Sequence, residues 1–186
     1  VVLTPPAPQS AEILKASSFD EELRGSLCGH LGATSYEQQF TFILGFAREW
    51  DRGDQFHALV NLDRGHDITW ISFENDKPGH VPEGETVLIV QMAAEWSSAH
   101  YDAARAELVR EVVSLARSVL PAMPDPDWWD SQRWGFARPR AAVDGDVLQA
   151  GESRGLYFAG DALAGRGRIA LAIKSGLAAA RAVLGE

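Results

Sequence analysis

This chain of 186 residues has one cysteine, Cys28. A single thiol excludes an intrachain disulfide framework and a zinc site built from cysteines, and it fits a reducing cytoplasm, the compartment expected here. No run of about 18 apolar residues occurs, so no membrane-spanning helix is expected. The opening residues lack the basic-then-apolar form of a secretory signal. Basic residues are scarce: 17 Lys and Arg stand against 26 Asp and Glu, a formal net charge of −9. With no Lys/Arg-rich run either, the chain does not read as a nucleic-acid binder. The five histidines, His30, His57, His66, His80 and His100, show neither H-x-x-x-H nor H-E-x-x-H spacing, so no metal site is expected. No G-x-S-x-G elbow exists, and nothing local marks Cys28 as a nucleophile.

What is present is ordinary for a globular protein: 46% hydrophobic and 23% charged residues, long enough to bury a sizeable core in one or two domains. The sequence starts at Val1-Val2-Leu3-Thr4-Pro5-Pro6, as if a strand were already under way and without an initiating methionine. It is expected to be the C-terminal part of a longer protein. The prolines end that strand. A short helix is expected from Gln9 to Ala16. A second starts at the capping-box spacing Ser18-Phe19-Asp20-Glu21 and runs to about His30.

Aromatic and β-branched residues then predict strands over 36–47 and 58–62. Another covers 67–74, with Ile68, Trp70 and Ser72 on one face and Thr69, Ile71 and Phe73 on the other, and a further one covers 85–92. His57 and His66 fall among Asp51, Asp54, Asp63 and Asp67 and read as solvated turn residues. The spacing of Leu108, Val112, Leu115 and Val119 predicts a helix over 102–120, stopped by Pro121 and Pro124. Strands are expected over 134–138, 147–150 and 155–159, and a last helix from about Gly167. Strands in succession, then a helix, more strands and a final helix point to α+β / α/β architecture with a mixed or antiparallel sheet.

The last thirty residues are the most specific. The apolar run Leu156-Tyr157-Phe158-Ala159 enters Gly160-Asp161, and a glycine-rich turn then opens the final helix. That order gathers a carboxylate and free backbone N–H groups at one point. Gly165-Arg166-Gly167-Arg168-Ile169-Ala170 matches G-x-G-x-x-G/A literally. It is not expected to start a complete dinucleotide domain, because that fold needs further βα units and an acidic residue roughly 20 positions on.

Leu156 to Gly176 resembles the C-terminal flavin-contact motif of glutathione-reductase-like flavoproteins, and within them the flavin amine-oxidase superfamily, its renalase-like branch in particular. The resemblance rests on Leu156-Tyr157-Phe158-Ala159-Gly160-Asp161, the turn, Arg168-Ile169, and Ser175-Gly176-Leu177-Ala178-Ala179-Ala180. Two echoes upstream stand in family order: Val1 to Gln9, like the strand leaving the nucleotide domain, and Gln132 to Pro139, like the Trp- and Arg-containing strand before the last motif.

The resemblance implies three parts. Residues 1–10 are the exit from the nucleotide-binding domain, 11–140 a substrate-binding domain, and 141–186 the last strand and helix of the FAD-binding domain. Gly160, Asp161, Gly167, Arg168 and Ile169 are the implied cofactor contacts, with Asp161 accepting from a ribitol hydroxyl and the Ile169 N–H facing the flavin N1/O2 edge. The implied activity is an FAD-dependent oxidoreductase passing hydride from a reduced nicotinamide-like or amine substrate to flavin, with reoxidation by dioxygen. The implied partners are a small-molecule substrate and a missing N-terminal FAD-binding segment, without which FAD binding is weak or absent and the chain inactive.

The sequence departs from amine oxidases where Arg168 stands in place of an aromatic cage residue and Ala170-Leu171 in place of Glu-Gly. Trp134, Arg138 and Arg168 are the candidates for the substrate pocket. Trp134 and Arg138, four apart on one strand, share a face. Trp128 and Trp129 read as sheet packing. The small-residue stripe Ile169, Ala172, Ile173, Gly176, Leu177 and Ala180 reads as a helix face packed on a sheet. A non-catalytic α+β binding domain, and a related amine-oxidase or carotenoid-desaturase-like enzyme, remain open.

Overall fold

The computed structural model describes residues 1–52 and 56–185. Asp54 of the polar stretch lies outside them. The chain forms two compact units, one of residues 1–37 with 136–186, the other of residues 38–135.

The second unit is built on an antiparallel sheet. Its strands are β2 (Tyr36–Phe46), β3 (Ala58–Val60), β4 (Ile68–Phe73), β5 (Thr86–Met92) and β6 (Trp128–Pro139), in the order β3-β4-β5-β2-β6. The ends of β2 and β6 belong to the first unit. Alternation along β2 turns Phe40, Phe42, Leu44 and Phe46 to one side, all of them buried. The facing strand β5 contributes Leu88, Val90 and Met92. Fully burying side chains of this size is worth about 1.5–3 kcal/mol each, which makes β2 the keystone of this core.

Two helices, α3 (Ala94–Ala99) and α4 (Arg105–Val119), complete the core. The buried stripe of α4 is Leu108, Val109, Val112, Val113 and Ala116, displaced from the expected one, so that Val119 is exposed. The strand at 68–73 does not alternate from its first residue. A register shift between Ile68 and Trp70 puts Ile68 into the core with Ile71 and Phe73. His57 is the solvent-exposed residue expected, although its Nδ1 lies 3.0 Å from Asp76.

The first unit packs short elements: β1 (Val2–Leu3), α1 (Ala7–Lys15), α2 (Glu21–Gly32), α5 (Gly145–Gln149), β7 (Tyr157–Phe158) and α6 (Ile169–Leu184). Helix α1 starts after Pro6 and carries Pro8 in its first turn, where a missing N–H costs nothing. It buries Ala7, Ser10, Ala11 and Leu14 against Leu27 and Leu31 of α2 and Phe158 of β7.

The cap of α2 is Asp20, not the expected Ser18: its Oδ1 accepts from the Leu23 N–H at 2.9 Å. Residues 145–149 are helix rather than strand, because Asp144 caps them through the Asp146 N–H at 3.0 Å. Of the stripe expected to pack along α6, Ile169, Ile173 and Leu177 instead face outward, 83%, 59% and 58% exposed, whereas Ala172 and Gly176 are half-buried. Among the described residues no helix is long and apolar enough to cross a membrane.

Candidate functional site

The glycine-aspartate turn is held by parallel pairing. Strand β7 runs beside β1, Val2 opposite Tyr157 and Leu3 opposite Phe158. The Ala159 N–H donates to Leu3 O at 3.0 Å. The chain then turns at Gly160, whose φ is +143°. Only glycine takes that conformation cheaply. Crowding is not the cause, since a Cβ here would meet Thr4 O at 3.8 Å. Asp161 follows at once and opens a single 3₁₀ turn to Ala164. Gly165 ends the turn with φ +64°, and a Cβ on it would lie 2.5 Å from Ala142 N.

Ser175 of α6 fastens this turn from behind. Its hydroxyl accepts from the Gly160 N–H at 2.6 Å and lies 3.0 Å from Gly160 O and 3.2 Å from Ala172 O, either of which can take its proton. In the sequence Ser175 is marked only as part of the small-residue helix that carries the resemblance, with nothing to tie it to Gly160.

Asp161 lines a cavity of about 80 Å³ with Thr4, Pro5, Ser10, Tyr36 and Phe136. Its carboxylate has no hydrogen-bond or ion-pair partner among the described residues. The Tyr36 Oη accepts from the Ala7 N–H at 3.0 Å, and its ring meets Phe136 edge-on with centroids 5.4 Å apart. Burial raises the Tyr36 pKa; the Ala7 N–H opposes that, and the Asp161 charge adds to it. The phenol therefore keeps its proton at neutral pH.

The remaining predicted residues are placed as follows. Gly167 lies against Arg138: a Cβ there would sit 2.7 Å from Arg138 Cγ. Arg138 pairs with Glu37 at 2.7 Å. Glycine at 167 thus makes room for a side chain of this chain itself. Arg168 occupies the cap position of α6 with no side-chain cap bond, and its own side chain is exposed. The first N–H groups of α6, Ile169 included, are left without a side-chain acceptor.

Trp134 is half exposed on the second unit and donates from Nε1 to Thr41 Oγ1 at 3.1 Å. It alternates on β6 with Arg133 and Gly135, and Arg138, farther along the strand, belongs to the first unit. Trp128 and Trp129 are not core residues. Both are substantially exposed, and Trp128 covers Gly45, where a Cβ would lie 1.8 Å from the indole. Among the described residues no three His, Cys, Asp or Glu side chains gather as a metal site.

A flavin-type ligand is compatible with this donor set. The turn offers one unpartnered carboxylate to a hydroxyl, a glycine at positive φ beside it, and uncapped helix N–H groups for an electron-rich edge.

Residues 1–184 match the model of one protein family, flavin containing amine oxidoreductase. No curated protein matches the chain. Among solved structures it is similar to putrescine oxidase bound to putrescine, at a TM-score of 0.70 and 13% identity, covering 100% of this chain and 42% of that one. It is similar to reduced UDP-galactopyranose mutase, at 0.69 and 14%, covering 99% and 41%. It is also similar to cyclohexylamine oxidase from Brevibacterium oxydans, at 0.66 and 15%, covering 99% and 42%. At such identities the likeness establishes the fold, and the mixed α+β architecture read from the sequence is the one observed. The chain spans about two-fifths of the length of these structures.

Proposed function

This chain belongs to the flavin containing amine oxidoreductase family, and on that premise we propose that it is the C-terminal part of an FAD-dependent oxidoreductase of the renalase-like kind. The observation that carries the reading is the Asp161 carboxylate, without a partner among the described residues and presented beside a positive-φ glycine on a turn clamped by Ser175. A carboxylate next to a pyrophosphate is repulsive unless it accepts from a hydroxyl, so Asp161 takes a ribityl hydroxyl. The Ile169 N–H, at the uncapped start of α6, would hold the electron-rich edge of a bound flavin and contribute a few tenths to about 1 kcal/mol toward negative charge there. Gly160 and Gly167 give the turn its path and Arg168 flanks it.

When bound, the flavin supplies the two-electron acceptor that takes hydride from a reduced nicotinamide-like or amine substrate and is reoxidised by dioxygen. On the first unit, Arg168 offers an exposed cationic group to such a substrate, while Arg138 is engaged by Glu37. Arg168 in place of an aromatic cage wall favours the nicotinamide-like substrate over a simple amine.

The other part of the cofactor site belongs to an N-terminal FAD-binding segment. Support comes from the outward apolar row Ile169, Ile173 and Leu177 and from the parallel β1–β7 pair. Two-strand parallel sheets are rare on their own, since parallel strands are normally buried among neighbours. Titration with FAD tests the reading. The complete protein is expected to retain FAD, and the 186-residue chain to bind it weakly or not at all. Micromolar or tighter binding by the chain alone would contradict the need for a second segment.

A further inference from the structure

We infer that the Tyr36 phenol is a second ligand-binding group of the Asp161 cavity and that the two together select a hydroxyl group. The inference rests on the FAD reading above and extends it to a residue from a different part of the chain.

Tyr36 Oη already accepts from the Ala7 N–H, so its remaining function is to donate its own proton. Among the described residues nothing takes that proton. Asp161 is a pure acceptor when ionised, and it too lacks a partner. Both line one cavity of about 80 Å³, with Thr4, Pro5, Phe136 and the buried Ser10 among its other walls. The Ser10 hydroxyl is committed to Pro5 O at 3.0 Å, which leaves the phenol and the carboxylate, with the Thr4 hydroxyl beside them, as the polar side chains of the lining open to a guest.

Each class of guest meets that pair differently. A phosphate oxygen can accept from the phenol but is repelled by the carboxylate. An ammonium group can donate to the carboxylate but leaves the phenol proton unpaired. A hydroxyl does both at once, donating to Asp161 and accepting from Tyr36. The site is therefore built for a polyol hydroxyl, and in FAD that group is on the ribityl chain. Phe136, edge-on to the Tyr36 ring, fixes the direction of the phenol.

A double-mutant cycle in the complete protein tests this, read by FAD dissociation constants and by the melting temperature of the apo form. Tyr36→Phe should weaken FAD binding about tenfold, the loss of one hydrogen bond to an otherwise buried partner. Tyr36→Phe combined with Asp161→Ala should bind about as weakly as Asp161→Ala alone, because one hydroxyl couples the two groups. A purely structural loss of the α1 cap would lower the melting temperature and add independently to the Asp161→Ala effect.

Unchanged affinity in Tyr36→Phe, or full additivity of the two losses, overturns the inference while leaving the FAD reading intact. Failure of the unmutated complete protein to bind FAD overturns both. Should Tyr36→Phe not fold, the crystal structure of the FAD-loaded complete protein decides. A ligand hydroxyl within hydrogen-bond distance of both Tyr36 Oη and the Asp161 carboxylate sustains the inference, and its absence overturns it.

Discussion

The hydroxyl of Ser175 takes the N–H of Gly160 at 2.6 Å and reaches the carbonyl of the same residue at 3.0 Å. One side chain from the final helix thus satisfies the N–H of the residue that turns the chain into Asp161 and lies within reach of its carbonyl. Ser175→Ala leaves the Gly160 N–H without its partner in a part-buried place. The expected loss is about 1–3 kcal/mol of stability, the cost of an unsatisfied donor, measured by denaturant unfolding of the first unit within the whole chain. Ser175→Thr, which keeps the hydroxyl, should recover most of it.

The turn glycines should differ in tolerance. Gly165→Ala demands φ +64° of an alanine and sets its Cβ 2.5 Å from backbone at Ala142, which cannot yield cheaply. Gly167→Ala meets only the stem of Arg138, a side chain able to swing aside. Thermal melts of the two variants should therefore rank Gly165→Ala well below Gly167→Ala. A reversed order would show that the turn is not held against residues 141–142.

Acid should loosen the second unit at a defined place. Arg52 grips Asp76 with two hydrogen bonds of 3.0 Å, and His57 adds a third. Arg52 foremost holds the Asp76 carboxyl below its usual 3.8, against the opposing effect of burial. The folded pKa lies below the unfolded one. The resulting stability is therefore fully present above pH 3.8 and is lost as pH falls through the lower folded value. Glu74 behaves alike: burial raises its pKa, and bonds from Lys77, Ser72 and His80 more than offset that, leaving it below 4.5. Asp76→Asn should flatten the fall in stability below pH 4, followed by chemical denaturation at stepped pH.

The outward row on α6 supplies a contrast between short and long forms. Ile173→Lys places a charge where the side chain is already 59% exposed. In the 186-residue chain its effect on stability should stay within about 0.5 kcal/mol. In the complete protein the same change should lower soluble yield and FAD content, because the row is then covered. Equal indifference in both forms would remove the apolar row as support for a missing segment.

How much of this was legible in the sequence varied with how local the cause was. Strands β2 and β5 could be read because alternation and aromatic content are written in the residues themselves. The Gly160-Asp161 turn and the start of α6 were legible for the same reason. Residues 147–150 misled because Val147 and Leu148 look strand-like, whereas Asp144 three residues earlier caps a helix. Helix α3 has no capping side chain, and its Ser97 is placed by the distant Phe40 N–H, so nothing near it announced a helix. The place Trp128 takes depends on the bare backbone of Gly45 in the same sheet, and the value of Ser175 on Gly160, fifteen residues earlier. Tyr36 looked like the first residue of a strand and no more. Its tie to Ala7 and its place beside Asp161 arise only when α1 and the last turn fold together.

The most direct test of the account is the visible absorption spectrum of the purified complete protein, unmutated and with Asp161→Ala. The account predicts flavin bands in the unmutated protein and their marked loss in the variant, with the two proteins equally folded by circular dichroism. Flavin bands of equal strength in both would contradict the role given to the Asp161 carboxylate, and their absence from the unmutated protein would contradict the flavin reading itself.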